Sequence, residues 1–215
     1  PNTTPNQKIK KVKQFGKDKV RIVLTGDTFD DSYHEALSYA EANGMSFIHP
    51  FEDIKTIEGQ GTVAVEILES CTEPIDFLFL PIGGGGLSAG VGSYLKQISP
   101  QTKIIGVEPF VARAMKTSVE KGEMVRLEAI DSFVDGAAVR RVGKLNFDIC
   151  REVLDEIVLV HEGKVCSTIL QMYNEEAIVV EPAGALSIAA LDQFKEEIKG
   201  KNVVCILSGG NNDIT

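Results

Sequence analysis

The residues best suited to chemistry are four consecutive glycines, Gly83 to Gly86, followed by Leu87-Ser-Ala-Gly90. They come directly after Phe77-Leu-Phe-Leu-Pro-Ile82, an unbroken apolar run of the kind that forms a strand buried on both faces. Leu87, Val91, Tyr94, Leu95 and Ile98 then recur at helical spacing up to a Ser99-Pro100 stop. Strand, glycine loop and helix in that order converge several backbone N–H groups beside a helix N-terminus, where no side chain blocks approach. Unpaired donors and the positive end of the helix dipole make an anion site, and phosphate is the anion expected. A surface turn is the plain alternative, but each glycine loses extra entropy on ordering, which a turn alone does not require. The Gly-Lys-Ser/Thr ending of a P-loop is absent. The dinucleotide fingerprint fits only loosely: Glu108 lies at about the right distance for a ribose contact, but Pro109 follows it. A monophosphate-bearing cofactor is therefore expected.

The elements that must position this loop alternate along the chain. Ile9, Val12 and Phe15 mark a first helix stopped by Gly16, and Val20–Thr25 reads as a strand. Thr28 or Asp30 caps a helix that ends at Asn43-Gly44, and Met45–Pro50 reads as another short strand. Ile57-Glu-Gly-Gln-Gly-Thr62 reads as a polar glycine turn opening a helix from Val63 to Ser70. After the glycine loop come a strand at 102–109, a helix at 111–121, an irregular stretch at 122–142, a helix at 145–153 and a strand at 156–160. A helix from Gly163 to about Ala177 leads to Glu181-Pro182, a cap and first-turn proline opening a helix at 183–198. The last strand, 202–207, runs into Ser208-Gly-Gly. Such alternation predicts an α/β fold with a mostly parallel sheet, whose ligands sit beyond the carboxyl ends of the strands. Two of those ends, at Gly83 and at Ser208, are small and polar enough for one ligand to touch both.

Composition narrows the function classes. With 43% hydrophobic and 25% charged residues, the 215-residue chain is that of an ordinary globular protein. Asp and Glu total 31 against 22 Lys and Arg, a formal charge of −9, which disfavours nucleic acid and anionic membrane as partners. The basic Lys8-Ile-Lys-Lys-Val-Lys13 segment reads as a solvated helix face. Cys71, Cys150, Cys166 and Cys205 lie far apart, suiting neither a zinc site nor a disulfide framework. With no signal-peptide pattern and no apolar run near 20 residues, a reduced, cytoplasmic setting is expected.

A strand ending in Gly-Gly-Gly-Gly-Leu and another, roughly 120 residues on, ending in Ser-Gly-Gly-Asn resemble the fold type II pyridoxal-phosphate enzymes. The threonine and serine dehydratases fit best, through Pro1-x-x-Thr4-Pro5-x-x-Lys8, Pro50-Phe51, Gly59-Gln-Gly-Thr62, Val107-Glu-Pro109, Asp135-Gly-x-Ala-Val139, Glu181-Pro-Ala-Gly-Ala185 and Ser208-Gly-Gly-Asn211. Each piece is weak alone and the set, spread over nearly the whole chain, is specific. The Val139-Arg-Arg-Val-Gly143 continuation is similar to the biosynthetic threonine dehydratases more than to serine racemases. The resemblance implies a three-layer α/β fold of the tryptophan-synthase-β type, with a partial small lobe at 1–50 and a large cofactor-binding domain at 51–215. It implies pyridoxal 5′-phosphate held by Gly83, Gly84, Gly85, Gly86 and the Leu87 amide, with Ser208 on the pyridine nitrogen. A hydroxyl there leaves the ring a weaker electron sink, suited to eliminating a β-hydroxyl. Asp135, Gly136 and Glu181 fall at the cofactor's edge; as residues alone they read as turn and cap positions, and for Glu181 the two readings are level.

The implied activity is conversion of threonine to 2-oxobutanoate and ammonia in isoleucine biosynthesis, in a homo-oligomer acting on threonine or serine. Serine racemase, serine dehydratase, a cysteine-synthase-like enzyme and a non-catalytic phosphate-binding module are the alternatives. Two departures qualify the resemblance. The family's cofactor lysine, in Ser-[Phe/Tyr]-Lys-x-Arg-Gly, and its Ser-x-Gly-Asn-His substrate loop are both absent, so the chain is expected to be an inactive fragment lacking N- and C-terminal parts, with no catalytic residue of its own. Racemase-like members bind a divalent cation through a Glu, a carbonyl four residues on and an Asp six on; Glu108 and Ala112 fit, but Ala114 stands at the third position, so no metal site is expected.

Overall fold

The computed structural model describes residues 1–212, and these divide into two compact units, Pro1–Ile48 with the segment from Gly210, and His49–Gly209. The first unit contains helices α1 (Asn6–Gly16) and α2 (Phe29–Ala42). Thr28 caps α2 in a reciprocal box with Asp31, satisfying two backbone donors that the helix leaves open. The strands expected at 20–25 and 45–50 are not formed among the described residues. A strand exists only when its backbone groups pair with a neighbour, and two short isolated segments supply no ladder. Ala40 is the sole buried hydrophobic of this unit among the described residues, while Phe15 is 76% and Ile48 81% exposed.

The second unit carries, in order, α3 (Ile54–Ser70), β1 (Phe77–Pro81), α4 (Gly86–Ile98), β2 (Lys103–Pro109), α5 (Ala114–Lys121), α6 (Lys144–Val153), β3 (Glu156–Val160), α7 (Glu162–Glu176), α8 (Pro182–Ala189) and β4 (Val203–Cys205). All four strands are parallel, in the order β3-β2-β1-β4, with Phe77 opposite both Lys103 and Val203. Alternate side chains of each strand feed opposite faces. Leu78, Leu80, Ile104 and Ile157 pack under α3, α4 and α6, whereas Phe79, Ile105, Val107, Val158 and Val160 pack under α7 and α8. The result is the α/β fold with a parallel sheet that the alternating sequence predicts, in the three layers that the resemblance implies. Burying each such Leu, Val or Phe side chain contributes about 1.5–3 kcal/mol.

Three elements have boundaries that differ from the sequence reading by three residues or more. The glycine turn expected at 57–62 is helical, inside a helix that begins at the Asp53 cap. Gly61 and Gly90 face each other there, and a β-carbon on Gly90 would overlap the Ile57 carbonyl and come within 2.6 Å of the Gly61 nitrogen. The glycines are contact surfaces between α3 and α4, so tertiary packing overrides their local helix-breaking tendency. The helix expected at 111–121 starts at Ala114, and that expected at 183–198 ends at Ala189 before a 3-10 turn at Leu191–Phe194. This tighter winding accompanies seating of the Phe194 ring edge-on against Phe79, at 5.1 Å between centroids.

Candidate anion and cofactor site

The strand order places the site. The chain starts at β1, steps outward to β2 and β3, and returns to the other side of β1 as β4. Loops leaving β1 and β4 therefore diverge from neighbouring strands, forming the crevice in which open α/β sheets bind ligands. Gly83–Gly86 leaves one of these strands and Ser208-Gly209 follows the other. Ile206 adds one more ladder bond, from its N–H to the Phe79 carbonyl at 3.0 Å, and its own carbonyl accepts from the Ser187 hydroxyl at 2.8 Å. Ser208 is then exposed.

The loop is shaped by contacts around it. Gly85 is the N-cap of α4 at φ 90°, a left-handed conformation that side chains rarely adopt. A β-carbon there would also press to 2.7 Å from the Met115 methyl and 3.0 Å from Asn146 Cβ. Phe51 lies against the loop from the other side: its ring occupies the space of a Gly84 side chain, and its carbonyl lies 3.0 Å from a Gly86 β-carbon position. The N–H groups of Gly83, Gly84, Gly85, Gly86, Leu87 and Ser88 donate no hydrogen bond among the described residues; the first α4 amide to do so is Ala89, to the Gly85 carbonyl at 2.9 Å. A run of open amides at the start of a 13-residue helix, in a glycine cradle, is an anion-binding geometry.

The remaining expected residues meet around the same strand ends. Asp135 and Gly136 are exposed in a 3-10 turn at Asp135–Ala137, and Gly83 sits against it, 3.0 Å from Ala137 Cα measured from a built β-carbon. Glu181 is 8% exposed at the N-cap of α8, with no capping bond from its side chain. Its backbone N–H donates to the Gly209 carbonyl at 3.0 Å, and its carboxylate fills the space beside Gly209 and Gly136. Glu181 thus occupies a cap position while its carboxylate packs among the strand-end loops. Gly83, Gly136, Glu181 and Gly209 form one continuous set of contacts.

Two residues around the loop escaped the sequence reading as site residues. Asn146, fully buried in α6, donates from Nδ2 to the Gly84 carbonyl at 2.7 Å and to the Phe51 carbonyl at 2.9 Å. Phe51 is held by His49, whose Nδ1 accepts from the Phe51 and Glu52 amides at 3.2 and 2.8 Å. Burial lowers the His49 pKa despite the nearby carboxylates of Glu52 and Asp53. Pro50-Phe51 was legible as a motif, but an asparagine within a helix carries no spacing signal.

Glu108 turns its carboxylate to the start of α5. Its carboxylate is buried and accepts from the Met115 and Lys116 amides, both at 2.8 Å, capping an α5 whose N-cap residue offers no side-chain bond. Burial pushes its pKa up to about 7, against the opposing pull of those two hydrogen bonds. Behind it lies Cys150, a buried thiol whose pKa burial also raises. Among the described residues no cluster of metal-ligating side chains occurs, and all four cysteines are free. Lys96 Nζ bonds the Thr102 carbonyl at 2.9 Å and Asp155 at 2.7 Å, toward the end of α4 remote from the loop. No helix among the described residues is long and apolar enough to cross a membrane.

The chain is similar to known proteins along its whole length. The chain is 60% identical over 214 residues to the L-threonine dehydratase biosynthetic IlvA of Halalkalibacterium halodurans, and 56% identical to that of Bacillus subtilis. All of this chain is covered in both, but it spans only about half of those relatives (52% and 51%). The processed form of threonine deaminase isoform 2 from Solanum lycopersicum superposes over the whole chain with a TM-score of 0.90 at 42% identity, covering 58% of that protein. Maize serine racemase gives 0.89 at 30% identity, over 99% of this chain and 64% of its own. Residues 1–209 match the family described as pyridoxal-phosphate dependent enzyme, and the chain belongs to that family.

Proposed function

We propose that this chain forms the cofactor-phosphate half of a threonine dehydratase, and that the whole protein converts L-threonine to 2-oxobutanoate and ammonia as a step of isoleucine biosynthesis. The observation that carries this is 56–60% identity, along the entire chain, to proteins named biosynthetic threonine dehydratase. The site residues fit the cofactor. A cradle that any side chain would fill, lined by amides without partners, suits a phosphate dianion. In this reading Gly83–Gly86 and Leu87 hold the phosphate through backbone N–H groups. Ser208 offers a neutral hydroxyl to the ring nitrogen from the adjacent strand end, and Asp135, Gly136 and Glu181 border the ring's edge. Bound pyridoxal 5′-phosphate supplies an electron sink for breaking bonds at an amino acid's α-carbon. Glycine amides bind the dianion without spending a side-chain charge, so the phosphate keeps its charge and orients the cofactor.

Serine racemase is the second reading, supported by the maize structure. Against it stand Ala114 and the engagement of both Glu108 oxygens by α5 amides, which leaves that carboxylate no open face for a cation. The partners in this proposal are a small amino acid, threonine or serine, and further copies of the same protein, in the cytoplasm. The test is the intact protein with cofactor and either amino acid. Release of 2-oxobutanoate from threonine is the expected result; formation of D-serine without 2-oxo acid would replace the dehydratase reading.

A further inference from the structure

The geometry points to Asn146 as a positioning residue for the phosphate loop, aiming the Gly85 amide through the Gly84 carbonyl. The inference rests on the proposed role of that loop. A trans peptide is planar, so the carbonyl of one residue and the N–H of the next point in opposite directions. The Gly84 carbonyl is anchored on the α6 side by Asn146 Nδ2 at 2.7 Å and by the Gly143 N–H at 3.3 Å. The Gly85 N–H, in the same peptide plane, is thereby turned away from α6, and it has no partner among the described residues. The same Nδ2 binds the Phe51 carbonyl, fixing the residue whose ring packs on Gly84. One side-chain amide group therefore locks both walls of the cradle. Two carbonyls at one end of the side chain identify that end as the donor nitrogen.

The other end argues that the donor is the reason for the residue. Asn146 Oδ1 is buried with no hydrogen-bond partner, and its residue is fully inaccessible. A leucine of similar shape would remove the stranded Oδ1 but would take the donor away from the Phe51 and Gly84 carbonyls. The asparagine keeps that penalty and holds two carbonyls in return. A preorganised donor matters most for an anion, because hydrogen bonds to charged groups are the strong ones and reorientation is otherwise needed at each binding event.

The test compares the isotope-labelled wild-type chain with Asn146→Leu and Asn146→Asp, titrated with inorganic phosphate, with pyridoxal 5′-phosphate and with pyridoxal. In the wild type, phosphate and pyridoxal 5′-phosphate should shift the Gly84–Leu87 amides. Both variants should need at least about tenfold more of either phosphate ligand, the Asp variant at least as much as Leu because an acceptor then faces both carbonyls. Affinity for pyridoxal, which lacks the phosphate, should stay within about twofold, which general loosening of the fold would not leave intact. Folded variants that bind phosphate as the wild type does would overturn the role of Asn146 alone. A wild type whose loop amides ignore phosphate would overturn the loop reading and this inference with it. Should neither variant fold, the wild-type titration decides: the Gly85 amide and the Asn146 side-chain amide must move together, and a Gly85 amide that stays fixed while Leu87 responds rules the inference out.

Discussion

At the scale of single residues, the site is made by what is missing as much as by what is present. Gly85 combines a left-handed backbone with neighbours on the side where a β-carbon would stand. Gly85→Val should therefore weaken phosphate binding by at least about tenfold, the larger share through altered loop geometry, as read by calorimetric titration of pyridoxal 5′-phosphate. Glu108 makes a different kind of prediction. Its folded pKa of about 7 lies above the ordinary value of 4.5, so between those pH values the folded chain holds a proton that the unfolded chain has released. Stability from this group is fully present below about pH 4.5 and is lost as pH rises through 7. Glu108→Gln removes that titration. Relative to wild type, the variant should gain on the order of 3 kcal/mol between pH 4.5 and 8, measured by denaturant unfolding at both. A gap that is constant with pH would show that burial leaves the Glu108 pKa at its unfolded value. His49 has the opposite sign: its lowered pKa means the turn carrying Phe51 loses stability as pH falls below 6.5.

At the scale of elements, the α3–α4 contact decides how the phosphate helix is seated. Gly61 and Gly90 let the two backbones approach, and α4 begins at the glycine loop. Gly90→Ala places a methyl group against the Ile57 carbonyl and the Gly61 nitrogen, with backbone on both sides that cannot rotate away. It should cost about 1–3 kcal/mol by overpacking, although alanine is the better helix former. Thermal unfolding of Gly90→Ala beside Gly59→Ala separates the effects, since a β-carbon on Gly59 meets nothing within 4 Å. The Gly59 variant should be neutral or slightly stabilised.

At the scale of the whole molecule, the two units differ in how much holds them together. His49–Gly209 contains the parallel sheet and both hydrophobic clusters, whereas Ala40 alone is buried among the described hydrophobic residues of Pro1–Ile48. Amide hydrogen exchange should be at least about a hundredfold faster through residues 1–48 than in β1 and β2, because local opening exposes little apolar surface there. Equal protection would show that the first unit is stabilised by something other than its own core. The chain on its own should release no 2-oxobutanoate from threonine. Lys96, the nearest lysine in sequence after the loop, lies about 15 Å along α4 and is tied to Asp155. Borohydride reduction after incubation with pyridoxal 5′-phosphate, followed by mass measurement, should find no stoichiometric adduct at one lysine.

The sequence by itself determined the local frame: an apolar run must be a buried strand, four glycines cannot continue it, and the apolar period after them must be a helix. It also determined that Glu181 precedes a first-turn proline, since that proline fixes the start of α8. What it could not determine depended on partners far along the chain. The segment at 57–62 read as a turn because the packing partner of Gly61, Gly90, is about 30 residues away. Segments 20–25 and 45–50 read as strands because side-chain alternation and β-branching are local, whereas the ladder that makes a strand is not. Only the tertiary structure set β4 beside β1, bringing Ser208 to the strand end next to the glycines. Only it turned Asn146 from an ordinary helix residue into the holder of the Gly84 carbonyl, because a hydrogen bond across 62 positions leaves no periodic trace in the chain.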